Sequence, residues 1–150
     1  MNILMLLKPK SEVEYLTDSC TVRQGLEKMR ANGYMAIPVL TKDGLYAGSV
    51  SEGDFLWHLV EHSGEIDSIR KCENYRIREI MKADRNPAVT IDVEMETVIE
   101  RAKLQNFIPV TDDRGSFIGI VTRQDIIRKF CQTEHKPSAA EAASGHTYQS

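Results

Sequence analysis

The chain has 150 residues, 27% of them charged and 41% hydrophobic, with a formal net charge of −3. That length fits one domain or two small halves sharing a core, and the mild acidity gives no reason to expect nucleic acid or a membrane as partner. Cys20, Cys72 and Cys131 are odd in number and widely spaced, the pattern of reduced thiols in a cytoplasmic protein rather than of a disulfide frame or a zinc site.

Met1–Leu7 is apolar, too short to span a membrane, and stopped by Pro9; it is expected to pack on the body of the protein. Val13–Leu16 reads as a brief strand. Thr21 and Gln24 form a capping box for a helix whose buried face carries Val22, Leu26 and Met29, and Asn32-Gly33 ends it. Tyr34–Leu40 and Tyr46–Val50 are strands joined by a turn at Lys42-Asp43-Gly44. Pro38 implies an edge or bulged position. Ser51 caps a helix to about His62.

Residues 63–79 are polar and join this first half (1–62) to a second (80–132). From Arg70 to Arg85 there are six basic residues against three acidic ones, read as a solvated connector rather than a nucleic-acid patch. Ile77, Ile80 and Met81 form a short apolar turn before the second half, as Met1–Leu7 does before the first. Val89–Ile91 is the next strand, and Met95, Val98, Ile99 and Ala102 mark the buried face of a helix. No glycine equivalent to Gly33 follows it. Phe107–Val110, the turn 112–115 and Phe117–Val121 form a second hairpin, followed by a helix from Thr122 to about Gln132. The polar, Ala/Ser-rich tail 133–150 is expected to be disordered.

The two halves are copies. Ile37-Pro38-Val39, Gly44, Gly48, Val50 and Asp54 recur 71 residues later as Ile108-Pro109-Val110, Gly115, Gly119, Val121 and Asp125, seven identities in an 18-residue window without a gap. Tyr46/Phe117 and Ser51/Thr122 add like pairs. This pattern of Ile-Pro-Val, a glycine turn, Gly-x-Val-Ser/Thr-x-x-Asp and an apolar helix resembles a CBS domain, and its duplication resembles the tandem CBS pair, or Bateman module. The opening resembles small stand-alone members. The resemblance implies a mixed α/β (α+β) fold of two β-α-β-β-α repeats about a pseudo-twofold axis. It also implies two clefts between the halves, adenine-containing ligands such as AMP, ADP, ATP, S-adenosylmethionine or cyclic di-AMP, and a flat homodimer.

Each Ser/Thr-x-x-Asp is open to two readings, a helix cap or a ligand contact. In the second reading, Thr122 and the first-turn N–H groups would hold a phosphate. Arg123 would add a charged hydrogen bond, and Asp125 would take a ribose diol. Ser51 and Asp54 are the first-half equivalents, but Glu52 stands where Arg123 does. The phosphorylated ligand is therefore expected in the second cleft. Family position adds Tyr15 and Leu16, Thr90 and Ile91, and Ala36 and Phe107 as walls for the base, each equally open to core packing. Lys10 is a further candidate for a phosphate.

His58-Leu59-Val60-Glu61-His62 matches a zinc-protease pattern but lacks a clear third ligand, and is read as coincidence. Trp57 is read as a surface contact or as cover for its own helix. With no nucleophile–base pair, metal cluster or glycine-rich phosphate loop, no catalysis and no cofactor are expected. The expectation is a regulatory module that binds an adenine nucleotide and signals to an unidentified partner protein. The alternative is a ligand-free dimerisation scaffold.

Overall fold

The structure, a computed structural model, describes residues 2–62 and 72–134. A 3-10 turn at Ile3–Met5 and strand β1 (Lys8–Pro9) lead into a second 3-10 turn, Lys10–Glu12. The first half comprises β2 (Leu16–Thr17), α1 (Val22–Asn32), β3 (Ala36–Leu40), β4 (Tyr46–Ser51) and α2 (Glu52–Glu61). After α3 (Ile77–Ile80), the second half repeats the order with β5 (Val89–Thr90), α4 (Met95–Leu104), β6 (Phe107–Thr111), β7 (Phe117–Thr122) and α5 (Arg123–Glu134). The connector at 63–71 and the tail from 135 lie outside the described residues.

The local signals act as their chemistry dictates. Thr21 and Gln24 close a reciprocal capping box on α1. Gly33, at φ 67, ends that helix in the left-handed conformation and donates its N–H to Met29. The first strand is shorter than expected and starts later, because the Val13 N–H closes the turn onto the Lys10 carbonyl instead of extending. Pro38 sits in the central strand of β2-β3-β4, not at an edge, and one residue before a register shift between Val39 and Leu40. It is tolerated because β2 is two residues long and pairs only with Val39 and Leu40, so no neighbour calls on the missing N–H.

The second sheet runs β1-β7-β6-β5, and its composition reveals a crossing. β1 precedes the first half yet pairs with β7 of the second, Lys8 opposite Ile120 and Pro9 opposite Gly119. Ile3 and Leu6 are buried in the second-half core with Val89, Val98, Val110 and Val121. Reciprocally, Ile77 is fully buried in the first-half core, with Ile80 and Met81 packed against it, and Lys82 bridges to Ser49 on β4. Each lead-in therefore completes the other half. Gly48 and Gly119 make room for it: a side chain on Gly48 would stand 2.6 Å from the Lys82 carbonyl oxygen, and one on Gly119 would collide with that of Lys8.

The hairpin tips meet at the pseudo-twofold axis. The Tyr46 N–H donates to Gly115 at 3.1 Å, and the Phe117 N–H donates to Gly44 at 2.9 Å. The rings of Tyr46 and Phe117, equivalent in the repeat, stack with centroids 6.2 Å apart. Around them Leu40, Phe107 and Ile120 are buried, with Val13, Tyr15 and Ala36 packed alongside, joining the halves.

Candidate functional site: two unequal clefts

Strand register gathers most of the predicted residues at one end of each sheet. Ala36 lies opposite Ser51, and Phe107 opposite Thr122. The start of β3 thus neighbours the start of α2, and the start of β6 neighbours that of α5. Because β2 runs parallel to β3, and β5 to β6, the residues before β2 and β5 arrive at this same end. Thr90 and Ile91 do not. Thr90 pairs with Thr111, four residues along β6 from Phe107, or about 13 Å away, and its hydroxyl bonds to Asp92. The structure corrects their placement: they lie away from Thr122.

Both Ser/Thr-x-x-Asp motifs are reciprocal caps. Ser51 Oγ accepts the Asp54 N–H at 3.4 Å and Asp54 Oδ2 accepts the Ser51 N–H at 2.9 Å. In the second half, Thr122 Oγ1 accepts the Asp125 N–H at 3.1 Å, while Asp125 Oδ2 accepts both the Thr122 N–H and its hydroxyl, at 3.0 and 2.7 Å. All the hydrogen bonds of Asp125 fall on Oδ2, so Oδ1 has no protein donor among the described residues.

Asp54 is held differently. Arg85, just before β5, grips it with a bidentate pair, Nη1 to Oδ2 at 2.6 Å and Nη2 to Oδ1 at 2.9 Å. Burial raises the carboxyl pKa, but the Arg85 bonds and the Ser51 N–H more than offset this and hold it below its ordinary value. Sequence reasoning placed Arg85 in a solvated connector; nothing local marks a contact between residues 31 positions apart. The neighbouring backbone is tightly fixed. Asn86, at φ 55, bonds through its side chain to Ser49 and the Phe107 carbonyl, and its own carbonyl accepts the Tyr46 hydroxyl at 2.7 Å. Arg101 and Gln105 both donate to the Pro87 carbonyl. Arg85, Asn86 and Pro87 line a cleft of about 520 Å³ with Arg101, Leu104, Gln105 and Asn106, while Asp54 lines a separate one with His58, Tyr75 and Lys82.

Around the second cleft, the turn Lys10–Glu12 lies against β7. Lys28 donates to the Tyr15 carbonyl at 2.7 Å, as Arg101 does to Pro87 in the other half. The Tyr15 ring is flanked by the ammonium groups of Lys10 and Lys28, 5.4 and 5.5 Å from its centroid, and tilts against Phe117. Lys10 thus stands beside an aromatic face. Leu16 is buried in the first-half core and Phe107 in the core between halves, while Ala36 is half-buried.

Arg123 does not stand free for a phosphate. Its Nε donates to Ala102 at 2.6 Å, Nη2 to the Lys103 carbonyl at 3.3 Å and Nη1 to Asn106 Oδ1 at 3.1 Å. It closes the C-terminal turn of α4, the helix that lacks a glycine cap. Glu52 occupies the same position beside α1, where Gly33 has already done this.

His58 is buried, and its ring packs 4.6 Å from that of His62 and 4.7 Å from that of Tyr75, beside Asp54, Glu61 and Glu79. No group of three or more metal-ligating side chains is arranged to hold an ion among the described residues. Trp57 is 67% exposed on α2, with Leu56 and Val60 also exposed.

The CBS domain family matches the chain twice, over residues 6–61 and 77–131. The chain belongs to the CBS domain family. A CBS domain-containing protein of Dictyostelium discoideum is 32% identical over 117 residues, 71% of this chain and 77% of its own length. An uncharacterized protein of Methanocaldococcus jannaschii is 32% identical over 124 residues, 65% of this chain and 74% of its own. Among solved structures, a CBS domain protein from Streptococcus pneumoniae superposes with TM-score 0.78 at 22% identity, covering 89% of this chain and 88% of that one. CbpB in complex with c-di-AMP gives 0.79 at 21%, covering 88% and 85%. CBSX2 in complex with AMP gives 0.72 at 21%, covering 89% and 98%. The mixed α/β pair of repeats is therefore the CBS-pair fold.

Proposed function

We propose that the protein is a non-enzymatic regulatory module that binds an adenine nucleotide between its repeats and passes the bound state to a partner protein. The observation that carries this is Asp125 Oδ1, a carboxylate oxygen without a protein donor among the described residues, on a cleft that Asp125 lines with Leu6, Leu7, Arg128 and Lys129. A ribose diol offers the two donors such an acceptor takes. The first-turn N–H groups of α5 favour an anion, and the apolar cluster of Val13, Tyr15 and Ala36 offers a wall for the base. CBS pairs of the same fold with c-di-AMP and AMP bound support this ligand class.

The second cleft remains the favoured site, for a reason other than Arg123: its carboxylate is open, whereas that of the first cleft is taken by Arg85. The exposed face of Leu56, Trp57 and Val60 on α2 supports self-association, and Cys20, Cys72 and Cys131, which form no disulfide, suit a reducing cytoplasm. Calorimetric titration of AMP and cyclic di-AMP into the wild type, Asp125→Ala and Asp54→Ala tests the assignment. Asp125→Ala is expected to remove the tighter of the two sites and leave the weaker first cleft, and loss of the tighter site in Asp54→Ala alone would overturn the assignment. Absence of binding to the wild type would leave the dimerisation scaffold.

A further inference from the structure

Asp54 and Asp125 are equivalent carboxylates in equivalent caps, yet only one is gripped by a cation. Arg85 reaches Asp54 from the segment leading into the other half, and with the Ser51 N–H it occupies both carboxylate oxygens. The Asp54 side chain is 6% exposed and that of Arg85 is 35% exposed, so the carboxylate is buried while the guanidinium that grips it can be reached from solvent. Arg85's place at the second cleft falls on Glu12 when counted back from the pairings of Leu16 with Val39 and Val89 with Val110, and on Ser11 when counted forward from those of Lys8 with Ile120 and Lys82 with Ser49. Neither is a cation, so neither can grip Asp125 as Arg85 grips Asp54.

A buried carboxylate must keep a partner. A sugar diol that takes Asp54 displaces the guanidinium, which then requires another anion. A phosphate supplies one in the same planar, two-pronged geometry as a carboxylate. The backbone carrying the arginine has little freedom to follow, because the Tyr46 hydroxyl and the two side-chain bonds of Asn86 fix it. The exchange is thus a swing of one side chain over a fixed support.

We propose that Arg85 is a specificity-determining latch on the first cleft, holding Asp54 against neutral nucleosides and releasing it to a nucleotide whose phosphate accepts the guanidinium. This rests on the nucleotide-binding reading above. It makes the two clefts of one chain unequal: the second reads the sugar, the first reads sugar and phosphate together.

The test titrates adenosine and AMP into the full chain carrying Asp125→Ala, which silences the second cleft, with and without Arg85→Ala. With Arg85 present, AMP is expected to bind at least about tenfold more tightly than adenosine. Without it, adenosine gains affinity, AMP loses it, and the ratio falls below about threefold. An unchanged ratio, with AMP still bound, overturns the latch and leaves nucleotide binding standing. Failure of the wild type and of both variants to bind either compound overturns both readings. Should Arg85→Ala unfold, Arg85→Lys retains the charge without the two-pronged grip and is expected to reduce the ratio at least about threefold; no reduction there overturns the latch equally.

Discussion

Arg123 donates its Nε hydrogen to the carbonyl of Ala102 at 2.6 Å, and through this bond the second repeat finishes the helix that the first repeat finishes with Gly33. Arg123→Ala is therefore expected to destabilise the protein by about 1 kcal/mol and to change AMP affinity by less than about threefold. Denaturant unfolding and titration measure the two separately. A tenfold loss of affinity would return Arg123 to the phosphate.

Gly119→Ala places a methyl group against the Lys8 carbonyl, backbone on backbone, at φ 159. Neither chain can yield without breaking the β1–β7 pairing, so a loss of about 2–4 kcal/mol is expected. Hydrogen exchange should show Ile3–Pro9 losing protection before the rest of the chain. Uniform loss of protection would mean the lead-in is not the element displaced.

Ile3→Ala and Ile77→Ala each empty a fully buried site, at an expected cost of about 2–5 kcal/mol. The informative result is where the damage falls. Ile3→Ala should loosen Val98 and Val121 in the second half, and Ile77→Ala should loosen Val22 and Val50 in the first. Methyl NMR resolves the two; damage confined to the half nearer in sequence would contradict the crossing.

Asp54 is held below its ordinary pKa, so its contribution is fully present above the unfolded carboxylate value of about 3.9 and is lost as pH falls through the lower folded value. Asp54→Asn should cost about 1–2 kcal/mol at neutral pH, the figure reduced for the partial exposure of Arg85. The gap between wild type and variant should narrow below about pH 4. Thermal unfolding from pH 3 to pH 7 measures it, and a gap constant across that range would remove the ion pair as its cause.

The repeat, the hairpins and the caps were legible in the sequence because each depends on residues a few positions apart: Thr21 with Gln24, Ser51 with Asp54, Gly44 closing a turn. The crossing was not. An apolar run such as Ile3–Leu7 shows that it must be buried, without showing against what. Arg85 was unreadable for the same reason, since its partner becomes a neighbour only once the lead-in to β5 lies over the first half. The role of Arg123 was half visible: the missing glycine after α4 and the arginine replacing Glu52 are two sides of one solution to helix termination, and only the folded geometry joins them.

The crossed lead-ins also decide what a fragment of this protein can be. A chain cut between the repeats yields two pieces, each lacking the strip of apolar surface that the other carries. A single repeat with its own lead-in would be whole only as a pair of copies, each lending that strip to its neighbour. The covalent link replaces such an encounter between molecules with one within a single chain. The single chain is, in its topology, a reciprocal exchange made permanent by the peptide link.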